Sequence, residues 1–404
     1  DHLVPGGRIH NFKDFMNFPA HVFEQKALRK KPFTHPALIQ PIRILEVLEK
    51  RDILLHFPYH SFDSMIDLLR EAAIDPYVEK IQITAYRLAR NSKIIHALTN
   101  AVRNGKDVTV VLELKARFDE EANLRWKRVL EEEGVHVICS HPNQKIHAKI
   151  CLITKRVNRN LRYFGFISTG NLNEQTARIY GDHCLLTADQ RILQDVKRVF
   201  NFISNQRNVQ WLKDCKYIIT SPWNTRSFFQ SRIQAGIKAY QEGKHFSCII
   251  KLNSLTDIDL IRDIYKMAQL GIQVRLIIRG ICCAITQHPK WPAPIQAISI
   301  VDEYLEHARV ICFDINGKQE VYLSSADWMP RNLDFRIETT VPVRDSKLKA
   351  EMIRILNLQL EENVKARILD NEQKNRYVQR KESEAPRRSQ VEIANFLATM
   401  KYLP

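Results

Sequence analysis

The chain has 404 residues, a length that allows two or three domains of ordinary size, each with its own buried core. Hydrophobic residues make up 45% of the chain and charged residues 26%, a balance that excludes a wholly disordered protein. No apolar run approaches the length of a membrane-spanning helix, which argues against helical membrane spans.

The charge balance is strongly basic. Lysine and arginine total 61 against 45 aspartates and glutamates, so the formal net charge is +16 at pH 7. Such a surface suits a polyanionic partner, which could be nucleic acid, anionic lipid, a nucleotide or a phosphate polymer. The alternative is a basic, solvated surface without a dedicated partner.

Eight cysteines are spread along the chain without a C-x-x-C pair, so the spacing of a zinc site is missing. Most of them lie in apolar runs that are typical of strands. We therefore expect buried thiols in a protein of a reducing compartment, without a disulfide framework. The cysteines are Cys139, Cys151, Cys184, Cys215, Cys248, Cys282, Cys283 and Cys312.

The first part of the chain starts at Asp1, without an initiator methionine, on a turn-rich stretch. We expect the chain to be a piece of a longer polypeptide, with residues 1–40 linking it to domains upstream. Residues 41–208 are predicted to form the first domain and residues 209–404 the second. The join falls near residues 204–222, where polar and proline-containing segments interrupt the apolar pattern.

Helices and strands alternate along the first half. Apolar residues at helical spacing behind Ser61, a plausible cap, predict the first helix, and nearly continuous apolar runs predict buried strands. Gly105 and Gly134 stand where two helices are expected to stop. This order predicts an α/β protein with a largely buried sheet. The predicted elements are helix 61–73, strand 80–86, helix 92–103, strand 108–114, helix 120–133 and strand 135–139.

The second half repeats this plan. Residues 246–251, 255–270 and 273–278 again predict a strand, a helix and a strand. Gly271 follows the helix as Gly105 does in the first half. The repeat indicates that one α/β unit is present twice.

Two further pairs of segments match between the halves. KIHAKICLI (145–153) matches LEHARVICF (305–313), and FISTGNLN (166–173) matches YLSSADWMPRN (322–332). A match over this length predicts the duplication of a whole α/β unit. The remaining C-terminal segment predicts mostly charged helix, interrupted by a loop at a proline.

The first matching pair carries the clearest chemistry. In KIHAKICLI, period-two alternation places His147 and Lys149 on one face of a predicted strand, and LEHARVICF does the same with His307 and Arg309. A neutral imidazole nitrogen can attack phosphorus while an adjacent cation offsets charge on the phosphoryl oxygens. We expect one histidine to attack and the other to serve the leaving group, in a cleft between the halves.

A single H-x-K pattern would more simply be a pair of surface residues, but two copies at matching places favour a shared site. No glycine-rich nucleotide loop of the Walker or protein-kinase kind is present. Phosphates would instead be held by side-chain cations and by the strand-end segments STGN (168–171) and SSAD (324–327).

The pattern resembles the phospholipase D superfamily, whose motif is H-x-K-x4-D followed by a strand that ends in small polar residues. Both copies depart from it. Thr154 stands where the first aspartate would be, and Arg309 replaces the second lysine although Asp314 is kept. These departures argue against an ordinary phosphodiesterase of that superfamily.

Longer blocks resemble one branch, the bacterial polyphosphate kinases that phosphorylate a histidine, in their C-terminal catalytic part. The resemblance implies two duplicated phospholipase-D-like domains, each a mixed sheet flanked by helices, with the active site in the cleft between them. It also implies reversible transfer of the terminal phosphate of ATP, through a phosphohistidine, to the end of a polyphosphate chain. The blocks are PYHSFDSMIDLLREAA (58–73), ITAYRLARNSKII (83–95), ELKARFDEEANLRW (113–126), KIHAK (145–149), STGNLNEQTARIYGD (168–182) and YLSSADWMPRN (322–332).

The resemblance implies roles for individual residues. His147 matches the histidine that accepts the phosphoryl group, with Lys149 beside it. His307 matches a second active-site histidine, which contacts the nucleotide phosphates and assists proton transfer. The residues expected to bind ATP or phosphate are Tyr180, Arg279, His307, Arg309 and Asn171.

The cofactor that the resemblance implies is Mg²⁺, and Arg87 and Arg117 match positions that the family associates with it. Arginine is a permanent cation without an acceptor atom, so neither side chain can coordinate the ion. We expect both to grip phosphate oxygens that also carry the magnesium.

The resemblance further implies ATP or ADP and polyphosphate as partners, no nucleic acid, and self-association into a homo-oligomer. It implies a cytoplasmic location, with peripheral association at the inner membrane surface as an option. Two alternative functions stay open. One is a phosphodiesterase or phosphatidyltransferase of the superfamily, and the other is a non-catalytic module that binds polyanions.

Overall fold

Two mixed β-sheets organise the structure, which is a computed structural model. The first sheet has eight strands and the second has nine. The described residues from Pro32 onward form one compact unit. The structure describes residues 31–39, 43–86, 88–89, 91–114, 120–141, 144–205, 208–292 and 294–400.

The described residues of the first half form eight strands and five α-helices. The strands are β1 (Ile53–Phe57), β2 (Val78–Ala85), β3 (Asp107–Leu112), β4 (His136–Cys139), β5 (Lys145–Ile146), β6 (Lys149–Val157), β7 (Asn160–Ser168) and β8 (Tyr180–Thr187). The helices are α1 (Ile44–Lys50), α2 (Asp63–Ile74), α3 (Lys93–Arg103), α4 (Glu120–Glu132) and α5 (Gln190–Ser204).

The second half supplies the remaining elements. Its strands are β9 (Ile219–Ser221), β10 (Phe246–Leu252), β11 (Gln273–Ile278), β12 (Gln296–Ile300), β13 (Leu305–Glu306), β14 (Arg309–Ile315), β15 (Lys318–Ser324), β16 (Arg336–Val343) and β17 (Ala366–Ile368). Its helices are α6 (Gln210–Lys213), α7 (Thr225–Gln241), α8 (Ile258–Gln269), α9 (Pro330–Asp334), α10 (Ser346–Leu360) and α11 (Ser389–Thr399).

The strand orders bear out the duplication. The first sheet runs β1-β8-β7-β6-β2-β3-β4, and the second runs β17-β12-β11-β10-β14-β15-β16-β5 with β9 beside β16. In each half a parallel pair, β2 with β3 and β10 with β11, is followed by an antiparallel hairpin, β6–β7 and β14–β15. The chain therefore contains two copies of one mixed-sheet domain with helices, as predicted.

The two halves also exchange short strands. Strand β5 belongs to the first half but pairs with β16 in the second sheet, and β13 of the second half pairs with β8 in the first sheet. Each segment then crosses back and continues in its own sheet as β6 or β14. The prediction of continuous strands over 145–153 and 305–313 is therefore wrong, because each segment leaves the strand conformation at its histidine and the following alanine.

A core shared by both halves lies between the two sheets. Val196, Val199 and Ile203 are buried on helix α5, at the spacing that places them on one face. They belong to the same apolar cluster as Ile150 of β6 and Val310 of β14. This core includes residues of both hairpins, β6–β7 and β14–β15. It therefore fixes the position of one half of the chain relative to the other.

Several predicted boundaries need correction. Helix α2 begins at Asp63, two residues later than predicted, and Ser61 is not its cap. The Ser61 hydroxyl accepts from the Asp63 N–H instead. Helix α3 instead has Ser92 as its cap, with the hydroxyl accepting from Ile95 N–H. Among the described residues of the C-terminal segment, helix is confined to α10 and α11, and β17 and loops lie between them.

The cysteines are all free thiols, and five of them are buried. Cys139 and Cys282 are half-buried, and Cys283 is exposed, so the expectation of a buried thiol is wrong for Cys283. Among the helices that the structure describes, none has the length and apolar character needed to cross a bilayer. The predicted domain bounds at residues 40 and 208 stay a prediction.

Candidate active site between the two halves

The strand exchange places the two histidines at equivalent points, where the chain crosses from one sheet to the other. His147 lies between β5 and β6, and His307 lies between β13 and β14. Both imidazoles are mostly buried, with side chains 10% and 13% exposed. Burial lowers the pKa of His147 well below its usual range, and charges that include Arg309 and His307 lower it further. Residues of the second half therefore lie close enough to His147 to change the pKa of its ring.

The His147 ring is held by a buried carboxylate from the other half. Its Nδ1 lies 2.9 Å from Glu338 Oε2 on β16. The Glu338 carboxylate also accepts from the Ser325 hydroxyl at 2.5 Å and from the Asn332 amide at 2.7 Å. Since the carboxylate is an acceptor in all three contacts, Nδ1 carries the proton and Nε2 keeps its lone pair. Within the described residues, no hydrogen bond reaches Nε2.

Lys149 lies directly beside this histidine and is almost completely buried. Its Nζ donates to the His147 carbonyl oxygen and lies 5.3 Å from the centre of the Tyr86 ring. The Tyr86 ring in turn meets the His147 ring edge-on, with 5.1 Å between centroids. No carboxylate among the described residues forms an ion pair with Lys149. Burial lowers the pKa of Lys149 well below its usual range.

The burial of Glu338 leads to a pH prediction. Burial raises its pKa to about 6, although Lys149 and the hydroxyl and amide donors act in the opposite direction. As the pH falls through about 6, the carboxylate gains a proton and stops stabilising charge on the His147 ring. We expect the rate at which ATP phosphorylates the chain to fall below that pH. Single-turnover labelling between pH 5 and pH 8 measures it.

The control for this pH prediction is Glu338→Gln, which removes the titrating group but keeps an amide oxygen that can accept from Nδ1. The variant should be slower, and its rate should be flat below pH 6. An acid limb that persists near pH 6 in Glu338→Gln would show that another group titrates there.

His307 of the second half is held in the same way by an acid of the first half. Its Nδ1 lies 2.8 and 3.0 Å from the two carboxylate oxygens of Asp182, which lies on β8 of the first half. The Thr169 hydroxyl donates to Asp182 Oδ1 at 2.7 Å. Burial lowers the pKa of His307, and Asp182 partly offsets that effect. Each histidine is thus oriented by an acid from the other half of the chain.

Arg309 makes the two halves of the site unequal. Its Nη1 donates to His307 Nε2 at 3.1 Å and to the His307 carbonyl oxygen at 2.7 Å. The rest of the guanidinium forms two bonds to Asp327, of 3.2 and 2.9 Å. Burial would raise the pKa of Asp327, but the Arg309 charge and its hydrogen bonds outweigh it and lower this pKa to about 2. Asp327 is therefore a carboxylate at any ordinary pH.

Each of the strand-end segments STGN and SSAD contacts one of the two acids that orient the histidines, Asp182 and Glu338. The Thr169 hydroxyl contacts Asp182 and the Ser325 hydroxyl contacts Glu338, so the second residue of each segment positions one acid. A Cβ atom at Gly170 would overlap the Asp182 carboxylate. Glycine is therefore required at this place so that the acid can approach the backbone.

Two other predicted phosphate-binding residues, Tyr180 and Arg279, lie on the His307 side. The Tyr180 ring lies 5.2 Å from the His307 ring, centroid to centroid. Arg279 follows β11, donates to Asn253 and forms no ion pair with a described carboxylate. Burial and the Arg309 charge lower the pKa of Arg279. Asn171 ends the first segment, and its buried Oδ1 has no hydrogen-bond partner among the residues that the structure describes.

The two predicted magnesium-linked residues, Arg87 and Arg117, lie outside the described residues. In the described part of the chain, no group of three or more His, Cys, Asp or Glu side chains is placed to hold a metal. The cleft acids Asp182, Asp327 and Glu338 already accept from His307, Arg309 and His147. The described residues therefore do not fit a protein cage for Mg²⁺.

The two orienting acids and Asp327 were not among the predicted site residues. Asp182 and Glu338 lie at the same distance along the chain after Ser168 and Ser324, the first residues of the matching segments. Continuing the alignment of the two halves beyond STGN and SSAD would have placed the acids opposite each other. The spatial pairing of each acid with the other half's histidine needed the strand exchange.

Two family models match the chain, one in each half. The model described as polyphosphate kinase C-terminal domain 1 matches residues 43–209. The model described as polyphosphate kinase C-terminal domain 2 matches residues 218–390. The two matches follow one another and together take in both histidines.

Curated relatives point the same way. Polyphosphate kinase of Escherichia coli K12 is 44% identical over 396 residues, which are 94% of this chain and 55% of that protein. Polyphosphate kinase of Vibrio cholerae is 43% identical over 405 residues, which are 99% of this chain and 57% of that protein. The chain thus spans little more than half the length of these relatives.

Solved structures agree with the fold. The crystal structure of polyphosphate kinase from Porphyromonas gingivalis superposes with a TM-score of 0.88 at 37% identity, and the match covers 96% of this chain and 59% of that one. Phosphatidylserine synthase from Haemophilus influenzae has a TM-score of 0.54 at 9% identity and covers 86% of this chain and 92% of that one. The second similarity shows a shared fold only.

Proposed function

The chain belongs to the polyphosphate kinase family, and on this premise we propose that it transfers the terminal phosphoryl group of ATP, reversibly, to the end of a polyphosphate chain. The phosphoryl group would pass through a phosphohistidine at His147. The observation that carries this proposal is the state of the His147 ring, with Nδ1 held 2.9 Å from a buried carboxylate and Nε2 bearing a lone pair beside Lys149.

In the first step the Nε2 lone pair of His147 attacks the terminal phosphorus of ATP. The nitrogen–phosphorus bond forms as the oxygen–phosphorus bond to ADP breaks, and the electron pair leaves with ADP. The ring becomes positively charged, and the Glu338 carboxylate at Nδ1 stabilises that charge, as a buried acid does for a catalytic histidine elsewhere.

In the second step a terminal oxygen of polyphosphate attacks the phosphorus of the phosphohistidine. The nitrogen–phosphorus bond breaks, its electron pair returns to Nε2, and the polymer is one phosphate longer. The same two steps in reverse make ATP from ADP and polyphosphate. Both directions need the same neutral ring, which the low pKa of His147 favours, and the Glu338 hydrogen bond keeps the proton of that ring on Nδ1.

Cations would bind the phosphates from both sides of the cleft. Burial lowers the pKa of Lys149, but an incoming phosphate supplies the negative charge that favours its ammonium form. Arg279 and Arg309 lie on the His307 side. Mg²⁺ stays a proposal, in which the ion arrives on the nucleotide phosphates, because the described residues form no cage for it.

Arg279 offers a direct test of phosphate binding. Its guanidinium has no carboxylate partner among the described residues, and its Nε is buried without a hydrogen bond. A charged hydrogen bond to phosphate would form there at little cost, so Arg279→Ala should weaken ATP binding by about 10- to 100-fold. Titration calorimetry measures the affinity, and Arg275→Ala, on β11 itself, is the control. Unchanged affinity in Arg279→Ala would remove this arginine from the site.

The proposal is tested by incubating the chain with radiolabelled ATP and MgCl₂. A phosphohistidine should form, which is stable in base and labile in acid. The phosphodiesterase alternative predicts instead cleavage of a synthetic phosphodiester without ATP formation. The polyanion-binding alternative predicts polyphosphate binding with neither reaction.

Self-association and a role at the membrane surface are further proposals from the family resemblance. Light scattering on the purified chain tests the first. Sedimentation with vesicles that contain anionic lipid tests the second, because the net charge of +16 would favour binding at low salt.

A further inference from the structure

The two active-site histidines are alike in burial and orientation but differ at the reactive nitrogen. Their side chains are 10% and 13% exposed, and each Nδ1 is bound by a buried acid. His307 Nε2, however, accepts a hydrogen bond from Arg309 at 3.1 Å. The matching cation of the first half, Lys149, donates to the His147 carbonyl oxygen instead. Burial therefore does not explain why one ring would react and the other would not.

The contact to His307 Nε2 depends on two residues that differ between the halves. Arg309 stands where the first half has Lys149, and Asp327 stands where it has Asn171. Asp327 receives two bonds from the guanidinium, and the backbone N–H groups of Asn253 and Ser254 both donate to it at 2.9 Å. This anchoring points one arm of the guanidinium at the ring.

An imidazole nitrogen cannot attack phosphorus while its lone pair accepts a hydrogen bond. Arginine is always a donor, so the contact means that His307 Nε2 is unprotonated and engaged. For His307 to form a nitrogen–phosphorus bond, the contact would first have to break. For His147 no described group has to move away from Nε2.

We propose that the Arg309–Asp327 pair selects which of the two symmetry-related histidines is phosphorylated, by occupying Nε2 of His307 and leaving Nε2 of His147 available. Arg309 and Asp327 are in this respect positioning residues that set site selectivity. The proposal rests on the proposed phosphohistidine chemistry. The unequal reactivity of the two rings, however, can be measured without ATP.

The experiment measures carbethoxylation of each histidine by diethyl pyrocarbonate, which reacts with an unprotonated ring nitrogen, followed by mass spectrometry of peptides. In the unmodified chain we expect His147 to react at least about tenfold faster than His307, since a charged hydrogen bond must be broken at His307. Equal rates in the unmodified chain would overturn the proposal, and this comparison needs no variant to fold.

Reciprocal exchanges then test the cause. Arg309→Lys with Asp327→Asn gives the second half the residues of the first, and the rate ratio should fall to about one. Lys149→Arg with Asn171→Asp gives the first half the residues of the second, and should slow His147 by about tenfold. The control pair is Arg191→Lys with Asp189→Asn, a similar two-bond arginine–aspartate pair at the far end of β8. A ratio unchanged in both exchanges would refute the selection mechanism.

Labelling with ATP and MgCl₂ separates this inference from the proposed function. If the unmodified chain takes no phosphate but the reactivity ratio follows the exchanges, then the kinase proposal fails and the inference stands. If His147 is phosphorylated and the ratio ignores the exchanges, the inference fails alone. In a His147→Ala background, the Arg309→Lys and Asp327→Asn exchange should produce label on His307.

Discussion

Replacing His147 with alanine should abolish the acid-labile phosphoprotein that the chain forms with ATP and Mg²⁺. The substitution removes the only group that the account assigns to the nitrogen–phosphorus bond, so labelling should fall by roughly 10³-fold or more. Because only 10% of the side chain is exposed and it contacts buried Glu338, the folding of the variant has to be measured beside its labelling. Single-turnover labelling with radioactive ATP and a thermal melt measure the two quantities.

The control for His147→Ala is His96→Ala, which removes an exposed histidine on helix α3 and should leave labelling unchanged. Mass spectrometry under basic conditions should place the phosphate on the peptide that contains KIHAK. If His147→Ala keeps its label at the normal rate, another residue carries the phosphate and the assignment is wrong.

Changing Asp182 to asparagine should lower the rate of ATP formation from ADP and polyphosphate by about 100-fold or more. The asparagine keeps the size of the side chain, but it has one acceptor oxygen, whereas the carboxylate uses two oxygens to accept from Thr169 and from His307 Nδ1. The amide also carries no charge, so it stabilises a positively charged His307 ring less than the carboxylate does, and the known cost of removing such an acid is large. The expected loss is in kcat, because the acid touches His307 and is itself buried.

The matched control for Asp182→Asn is Asp314→Asn. Asp314 occupies the aspartate position of the phospholipase D motif, but the structure places it near the end of β14, where it accepts from Gly317 N–H of the following turn. Its replacement should leave kcat unchanged. A twofold effect or less for Asp182→Asn, with both variants folded, would contradict the role given to the acid.

The sequence predicts the duplication and its chemistry because both are local. Strand–helix–strand order, glycines after helices, and a histidine two residues before a cation can all be seen in short windows. The same glycines, Gly105, Gly134 and Gly271, have positive φ angles in the structure. The family resemblance then supplied the reaction, which spacing alone would not have distinguished from phosphodiester cleavage.

The break in the two histidine-bearing strands could not be predicted in this way. The apolar alternation of KIHAKICLI continues without interruption, so it fits a single strand. The break arises because Lys145–Ile146 pairs with the other sheet, where Arg336–Ile337 lies. This pairing is a tertiary interaction between residues far apart in the chain, so the local sequence pattern does not predict it.

The roles of the two acids that orient the histidines could not be predicted for the same reason, because they depend on contacts between the two halves. Asp182 and Glu338 lie on strands of their own sheet but act on the histidine of the opposite half. Arg309 looked in the sequence like a degenerate copy of the lysine in the motif. The structure shows that it is one part of a specific pair with Asp327, and this changes the interpretation from loss of a function to a difference in role.

The central claim is a phosphotransfer between nucleotide and polyphosphate that passes through His147. The most direct measurement is ATP formation from ADP, polyphosphate and MgCl₂ by the chain and by His147→Ala, with hydrolysis of bis(p-nitrophenyl) phosphate followed in parallel. We expect ATP formation by the chain, none by the variant, and no phosphodiester hydrolysis by either. Phosphodiester hydrolysis without ATP formation, or ATP formation by His147→Ala, would contradict it.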